Sequence, residues 1–369
     1  MSNNECQFPF ATHVIALAEG RAGERHIEQW QADGAVAALN QNEASDAPSP
    51  AVAVAVEGAL RHANRYPDHR ARGLREKLAT KLNVGQDQLI FGNGSYEIIA
   101  MLLQVVLRAG SALAVPEPTY RRYYESSVLA QAEYRPVPLR ADGCNDPKAL
   151  AAAARAADVT VVCTPNNPTG AALTRDEFRE ISDAVPSNHL LIVDEAYGDF
   201  SRAQGGIDAV EELRGSSHPW VVIRTLSKAH GLAGIRFGYA IASHTRIVDM
   251  VDGVRGLFNV GRVTQAAALA AIEDEQWSTD IIDRTITERE RMRSALQDAG
   301  FETMPSATNF LAVRTRRNGR EVQKSLRSSG ILTSLIPGHD YEDFVRISVG
   351  TAEDTDRVVA AITAAGREA

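Results

Sequence analysis

Short apolar runs alternate with longer helical stretches between Leu74 and Met250, and this alternation constrains the fold more than any other feature of the sequence. Each run is five or six residues long, which suits a buried strand. Strands that alternate with helices form βαβ units, whose parallel sheet is covered on both faces. We therefore predict an α/β fold with a mostly parallel sheet flanked by helices. The runs are QLIFG, SALAV, VTVVC, HLLIVD and WVVIRT.

The character of the sequence changes along the chain and predicts three regions. Residues 1–45 are polar and predict an irregular amino-terminal arm. Residues 46–252 predict a large domain, which opens with a Ser-Pro helix start at Ser49-Pro50. Residues 253–369 predict a smaller α+β domain that is joined through a long charged helix. A chain of 369 residues is long for one core and suits two domains.

Composition and charge limit the classes of function. The net charge of −8 and the isoelectric point near 5.7 give no basic footprint for nucleic acid. No apolar run approaches the ~20 residues of a membrane span, and MSNNECQFPF lacks the basic and apolar regions of a signal peptide. The cysteines, Cys6, Cys144 and Cys163, have no metal-ligand spacing and suggest a reducing compartment. We predict a cytoplasmic protein without a metal, bound to neither membrane nor nucleic acid.

Polar residues follow the end of each predicted strand, where an open α/β sheet binds its ligands. The first run leads into a glycine loop that opens a helix. The others lead to an aromatic residue, an amide, a carboxylate with a phenol, and an amine. Together these groups suit a flat, phosphorylated pyridine aldehyde. The candidate residues are Gly94, Ser95, Tyr96, Tyr120, Asn167, Asp194, Tyr197, Ser227, Lys228 and, eight residues after the lysine, Arg236.

The ring of such a ligand explains five of these residues. An amine is needed to condense with the aldehyde, and Lys228 offers one. A carboxylate is needed to keep the ring nitrogen protonated, and Asp194 offers it. Asn167 and Tyr197 can donate hydrogen bonds to the ring hydroxyl, and Tyr120 can stack on the ring face.

The phosphate explains the remaining candidates. A helix amino terminus with hydroxyl groups and a cation is a natural phosphate site. Gly94, Ser95 and Tyr96 would supply the helix start, Ser227 a hydroxyl and Arg236 the cation.

Each residue also has an ordinary structural interpretation when it is taken alone. Lys228 could be a surface lysine, since lysine is rarely buried without a partner. Asp194 could cap a helix, and Asn167 could form only a turn. Tyr120 could belong to the core, and Arg236 could pair with any acid. The joint occurrence at five strand ends favours the ligand site.

The sequence resembles the fold-type I pyridoxal-phosphate aminotransferases of class I and II over roughly Ala38 to Gly350. The motifs that carry this resemblance are TPNNPTG, DEAY, SKAHGLAGIRFGY and VRISVG. The histidinol-phosphate aminotransferase branch is the most similar one, on the segments ALNQNEASDAPSP, NRYPD and GNGSYEII.

The resemblance implies an enzyme that moves an amino group between an amino donor and a 2-oxo acid such as 2-oxoglutarate. It implies pyridoxal 5′-phosphate as cofactor and a homodimer with active sites at the subunit interface. It further implies that Tyr66 reaches the phosphate of the neighbouring subunit's cofactor, and that Arg346 binds an acidic group of the substrate. Catalysis would then rest on Lys228, Asp194 and Tyr197, and substrate binding on Arg346, Asn167 and Tyr120.

Three positions depart from the histidinol-phosphate branch. Tyr96 stands where that branch has a small polar residue, and His230 stands where it has an aromatic one. Ser334 stands, by position, where it has a second arginine in the strand upstream of Arg346. The amino donor is therefore left open between histidinol phosphate and an amino acid.

Two other functions stay open at this point. A decarboxylase, lyase or oxidase would use the same scaffold and cofactor for another reaction. A cofactor-sensing regulator would need an added DNA-binding domain, for which the sequence has no spare length, and its acidic charge argues against one.

Overall fold

The structure is a computed structural model that describes residues 11–22 and 35–367. Cys6 and the segment MSNNECQFPF lie outside the described residues. In the described part, Cys144 and Cys163 are both buried and carry free thiols. No helix of that part combines the length and apolar character that crossing a membrane would require.

The helices cover both faces of the main sheet and most of the carboxyl-terminal third. They are α1 (Thr12–Ala22), α2 (Pro50–Leu60), α3 (Arg72–Leu82), α4 (Gly94–Val106), α5 (Arg122–Leu129), α6 (Pro147–Ala154), α7 (Arg175–Ser182), α8 (Gly198–Arg202), α9 (Ala209–Leu213), α10 (Thr245–Asp252), α11 (Arg262–Glu273), α12 (Glu275–Asp298), α13 (Gly319–Ser328) and α14 (Ala352–Arg367).

The strands form one large and two smaller sheets. They are β1 (Ala37–Ala38), β2 (Leu89–Gly92), β3 (Ala112–Glu117), β4 (Glu133–Pro138), β5 (Val159–Cys163), β6 (Leu190–Asp194), β7 (Trp220–Thr225), β8 (Gly238–Ala242), β9 (Glu302–Thr303), β10 (Phe310–Arg314), β11 (Ile331–Leu332), β12 (Ser334–Leu335) and β13 (Phe344–Ser348).

The large sheet has the strand order β2-β8-β7-β6-β5-β3-β4. Neighbouring strands pair in parallel from β7 to β4, and β8 pairs in antiparallel fashion with both β2 and β7. Separate apolar clusters cover its two faces. The predicted α/β fold with a mostly parallel, helix-flanked sheet is therefore confirmed. All five predicted runs are strands of this sheet.

The sequence did not reveal two of the seven strands. β4 lies at the sheet edge and contains two prolines, so its sequence EYRPVP lacks the apolar pattern of a buried strand. β8 is the short segment GYAIA, directly after the glycine-rich loop that carries Arg236. Its antiparallel pairing with β2 and β7 needs no helical crossover, so no βαβ signal marks it.

The carboxyl-terminal region is α+β in character, with the four-stranded sheet β12-β13-β10-β9 packed against helices. The run GILTSLI does not form one strand. It divides at Thr333 into β11, which pairs with β1, and β12, which pairs with β13. The domain boundaries at residues 45 and 252 stay predictions.

The sequence predicted an irregular arm, but the structure shows two regular elements in its described part. α1 covers residues 12–22, and β1 adds Ala37–Ala38 in parallel to the carboxyl-terminal strand β11. The sequence did not reveal either element, because α1 lacks a strong apolar period and β1 is only two residues long. The pairing of β1 fixes where the following residues, 40–43, run.

A buried ion cluster holds the loops behind the large sheet's carboxyl end. The Arg224 guanidinium donates to Glu195 Oε2 at 2.9 Å and to Asp208 Oδ1 at 2.7 Å. Glu195 also accepts from Arg202 at 3.1 Å and from the backbone amide of Ala209 at 2.9 Å. Both Arg224 and Glu195 are almost completely buried. This cluster ties the loop after β6 to β7, whose end carries the candidate lysine.

Replacement of Arg224 by methionine should destabilise the protein by about 3 kcal/mol, because it leaves the Glu195 carboxylate buried with too few partners. The matched control is Arg61→Met, which removes an exposed ion pair with Glu57 and should cost less than about 1 kcal/mol. Urea unfolding measures both variants. Equal effects of the two substitutions would contradict the assigned importance of the buried cluster.

Candidate active site

A cavity of about 610 Å³ opens at the carboxyl ends of the parallel strands. Its walls come from the loops after β3, β5, β6 and β7, from the start of α4, and from the β12 and β13 strands of the smaller sheet. Of the candidate residues predicted from the sequence, those that line it are Ser95, Tyr96, Tyr120, Asn167, Asp194, Tyr197, Ser227, Lys228, Arg236 and Arg346.

Lys228 lies in the wall of this cavity, three residues after β7 ends. Its Nζ donates to the backbone carbonyl oxygens of Asn42 at 2.8 Å and Gln41 at 3.2 Å. Burial lowers the pKa of Lys228 to about 7, and the nearby Arg346 guanidinium acts in the same direction. A large fraction of the amine is therefore neutral near pH 7, as attack on an aldehyde requires.

Asp194 is the last residue of β6, and its carboxylate is buried. Its Oδ2 accepts a 2.6 Å hydrogen bond from the Tyr123 hydroxyl, and its Oδ1 accepts from the Ala196 amide at 2.9 Å. Burial raises the pKa of Asp194, while these two hydrogen bonds favour the charged form. Sequence analysis missed Tyr123, because it stands among three tyrosines in TYRRYYESS with no distinguishing signal.

The two asparagines of TPNNPTG have different roles. Asn166 is buried and structural: its Oδ1 accepts from Thr119 Oγ1 at 2.8 Å, and its Nδ2 donates to the Pro118 carbonyl at 3.0 Å. Asn167 instead faces the cavity, where its Oδ1 accepts from Arg346 Nη1 at 2.6 Å. Tyr120 lies in the cavity wall, and burial raises the pKa of its hydroxyl.

The start of α4 and Arg236 form the opposite end of the cavity. Gly94 has φ +75, and a Cβ there would collide with the Arg236 guanidinium. Among the described residues that guanidinium donates to neutral backbone oxygens, of Ala233 at 2.9 Å and Asn93 at 3.3 Å. Arg236 itself has φ +63, a strained conformation for a non-glycine residue. The arrangement leaves a cation beside a helix amino terminus, ready for an anion.

Two serines complete this end. Ser95 follows Gly94 in the first turn of α4, and Ser227 immediately precedes the lysine. The Ser227 hydroxyl accepts from Thr225 Oγ1 at 3.0 Å. A Cβ on Gly238 would lie 2.6 Å from the Ser95 amide nitrogen, so this glycine lets β8 pass close beneath the helix start.

Residues 40–43 of the arm close one side of the cavity, a role that sequence analysis did not assign. Asn42 Nδ2 donates to the Tyr197 hydroxyl at 2.9 Å, and Asn42 Oδ1 accepts from Ser348 Oγ at 3.0 Å. Burial raises the pKa of Tyr197 to about 12, so its hydroxyl stays protonated as a donor. The arm segment therefore links the lysine loop to the smaller sheet.

Arg346 reaches the cavity from the middle of β13 and lies directly opposite Ser334 of β12 in the sheet register. Its Nη2 donates to the Asn40 carbonyl at 2.7 Å and to Ser334 Oγ at 3.2 Å. Its buried Nε has no hydrogen-bond partner in the part of the chain that the structure describes. Burial lowers the pKa of Arg346. The strand pairing thus places Ser334 beside Arg346 at the substrate end of the cavity.

Two other residues singled out by the sequence lie elsewhere. Tyr66 is 78% exposed and stacks on Phe258, with ring centroids 4.6 Å apart, outside the cavity. His230 does not line the cavity. Burial lowers its pKa, while nearby Asp199 acts in the opposite direction. Tyr96 does line it, and its hydroxyl accepts from Arg122 at 3.1 Å.

These residues fit a phosphorylated pyridine aldehyde. The space beside Gly94 is so narrow that a Cβ there would collide with the Arg236 guanidinium. Among the described residues, that guanidinium donates to neutral oxygens. An amine with a lowered pKa lies in the same cavity as a buried carboxylate. The donor set thus provides for the phosphate, the aldehyde and the ring nitrogen.

Comparison with known proteins agrees with this assignment. Residues 35–362 match the family model of aminotransferase class I and II. Histidinol-phosphate aminotransferase 2 of Caulobacter vibrioides is 37% identical, over 89% of this chain and 85% of that protein. Histidinol-phosphate aminotransferase 1 of Mesorhizobium japonicum is 31% identical, over 91% of this chain and 92% of that protein.

A solved structure supports the same conclusion. The crystal structure of histidinol-phosphate aminotransferase from Sinorhizobium meliloti, in complex with pyridoxal-5′-phosphate, matches with a TM-score of 0.89 and 26% identity. The match covers 98% of this chain and 99% of that one. The chain belongs to the class I and II aminotransferase family, and it is a pyridoxal-phosphate-dependent aminotransferase that acts on small molecules.

Proposed function

We propose that this enzyme transfers the amino group of a donor to a 2-oxo acid such as 2-oxoglutarate in the cavity around Lys228. The observation that carries the proposal is the partly buried Lys228 amine, whose pKa is lowered to about 7, in one cavity with Asp194 and Arg236. Pyridoxal phosphate supplies an aldehyde that condenses with amines and a ring that withdraws electrons from the bond to be broken.

The cofactor contacts follow from the positions of the side chains. Arg236, Ser95 and Ser227 would bind the phosphate at the start of α4, where the backbone of Gly94 leaves room for it. Asp194, held by Tyr123, would accept a hydrogen bond from the protonated ring nitrogen.

The remaining candidates would contact one face of the ring, its hydroxyl group and the phosphate end. Tyr120 would stack on the ring, and Tyr96 would close the phosphate end. Tyr197 and Asn167 would donate to the ring hydroxyl. The raised pKa of Tyr197 keeps its proton available for this purpose.

Catalysis rests on one movable proton. With the donor bound in place of the lysine, Lys228 Nζ would take the proton from the donor's α-carbon as general base, and as general acid it would deliver that proton to the former aldehyde carbon of the cofactor. A pKa near 7 suits both directions at neutral pH. Arg346 would hold the donor's acidic group, which fixes the α-carbon in the cavity.

The identity of the donor is open between two classes. Relatives named histidinol-phosphate aminotransferase favour histidinol phosphate. A single guanidinium in the substrate end favours an amino acid. A cytoplasmic location and the absence of nucleic-acid binding stay predictions from the sequence.

We further propose that the enzyme is a homodimer in which Tyr66 contributes to the neighbouring subunit's site. Four apolar side chains, two in α2 and two in the loops that meet at the Tyr66–Phe258 stack, expose more than half of their surface, which is typical of a surface that another chain covers. They are Val54, Leu60, Tyr66 and Leu257.

Lys228→Ala should abolish transamination, whereas Lys324→Ala, at an exposed lysine of α13, should leave it unchanged.

In the wild-type apoenzyme, the rate of cofactor uptake should fall about tenfold per pH unit below about pH 7, because protonation removes the nucleophile. Stopped-flow absorbance measures this rate. A midpoint near pH 10, the value of an ordinary lysine, would contradict the assigned role.

The dimer proposal predicts complementation between two inactive variants. Tyr66→Ala should lose cofactor affinity and Lys228→Ala should lose chemistry. After co-refolding in equal amounts, about half of the dimers would be mixed, each with one intact site, so about a quarter of the wild-type activity should return. Activity that stays at the level of the separate variants would refute a shared site, and sedimentation would show whether a dimer exists at all.

A further inference from the structure

The substrate end of the cavity has one strong anion receptor, the guanidinium of Arg346. It is partly buried, and its hydrogen bonds go to a side-chain amide oxygen, a backbone carbonyl and a hydroxyl, all neutral acceptors. Its Nε–H is buried without a partner among the described residues. A buried cation with an unused donor is costly unless a ligand supplies the counter-charge.

Ser334 supplies the other half of this receptor. It lies directly across the strand pair from Arg346, and its hydroxyl accepts from Arg346 Nη2 at 3.2 Å while donating to the Asn40 carbonyl at 2.8 Å. A hydroxyl in this place adds hydrogen-bonding capacity but no charge. The receptor therefore carries a single positive charge.

The other cations of the cavity are engaged elsewhere. Lys228 and Arg236 serve the cofactor under the function proposed above. Arg121 is 41% exposed at the side chain and lies 3.6 Å from the carboxylate of Glu125. Glu43 lies in the wall near Lys228 and contributes the opposite sign. Among the residues that the structure describes, no surplus positive charge adds to that of Arg346.

The charge of the receptor discriminates between donor classes. A phosphate monoester carries about −1.5 to −2 charges near neutral pH and is bound best by two cations or more. A carboxylate carries one negative charge and matches one guanidinium in a planar, bidentate pair. One arginine with one serine fits the second class.

We propose that the amino donor of this enzyme is an α-amino acid whose carboxylate binds Arg346 and Ser334, and not a phosphate monoester. The proposal rests on the aminotransferase function proposed above and specifies its substrate class. It separates the chain in specificity from the relatives that are named for histidinol phosphate.

The test is a spectroscopic titration of the wild-type holoenzyme with single donors, following conversion of its cofactor from the aldehyde form to the amine form. L-Histidine and L-histidinol phosphate make a matched pair, because they share the imidazole and differ at the anionic group. L-Phenylalanine and L-lysine extend the carboxylate class to other side chains, and L-glutamate is left out because, as the product formed from 2-oxoglutarate, it should react with either class of enzyme.

At least one carboxylate donor should react about tenfold or more faster, per unit concentration, than L-histidinol phosphate. Equal or faster reaction of L-histidinol phosphate than of every carboxylate donor would overturn the inference while leaving the aminotransferase function intact. No reaction with any donor would overturn both, so the two failures are distinguishable.

Ser334→Arg should place a second cation beside Arg346. The ratio of the reaction rate with L-histidinol phosphate to that with the best carboxylate donor should then rise about tenfold. Ser329→Arg, an exposed position at the end of α13, adds the same charge outside the cavity and should leave the ratio unchanged. An unchanged ratio in a folded Ser334→Arg holoenzyme, or an equal rise in both variants, would contradict the role of Ser334.

Discussion

The side-by-side pairing of β5, β6 and β7 is the constraint on which the rest of the site depends. Cys163 of β5 pairs with Asp194 of β6, which in turn pairs with Ile223 of β7. Because the three strands are parallel and end at one edge of the sheet, the residues at and after their carboxyl ends lie close together. Asn167, Asp194 and Lys228 reach one cavity for this reason.

The electrostatics of the cavity follow from its burial. Lys228, Arg236 and Arg346 line it together with Arg121, and the hydrogen bonds that the described residues offer to the first three go to neutral oxygens. In such surroundings Lys228 loses its proton more easily, whereas the guanidinium groups of Arg236 and Arg346 stay charged and can bind anions. In the proposed function, a cofactor phosphate at one end and a substrate carboxylate at the other would complete the charge balance. The same burial thus prepares both the chemistry and the binding.

The sequence predicted the parts of the site that are local in the chain. Residues such as Asp194 and Lys228 directly follow apolar strands, so order along the chain was enough to find them. Contacts between distant segments were not predictable in this way. Asn42 meets Tyr197 only because β1 pairs with β11, and Tyr123 meets Asp194 only because α5 packs on the sheet.

The position of Ser334 is intermediate between these cases. The resemblance predicted that Ser334 stands where the histidinol-phosphate branch has a second arginine, and the register of β12 and β13 places Ser334 opposite Arg346. The splitting of GILTSLI between two sheets was not visible in its apolar pattern, since Thr333 gives no turn signal. Specificity here depends on a register that only the fold determines.

The central claim is that Lys228 carries the cofactor, and covalent trapping tests it most directly. Holoenzyme reduced with borohydride and digested should show, by peptide mass spectrometry, a pyridoxyl phosphate adduct on Lys228. An adduct on another lysine, such as Lys81 near the exposed end of α3, or no adduct at all, would contradict the account.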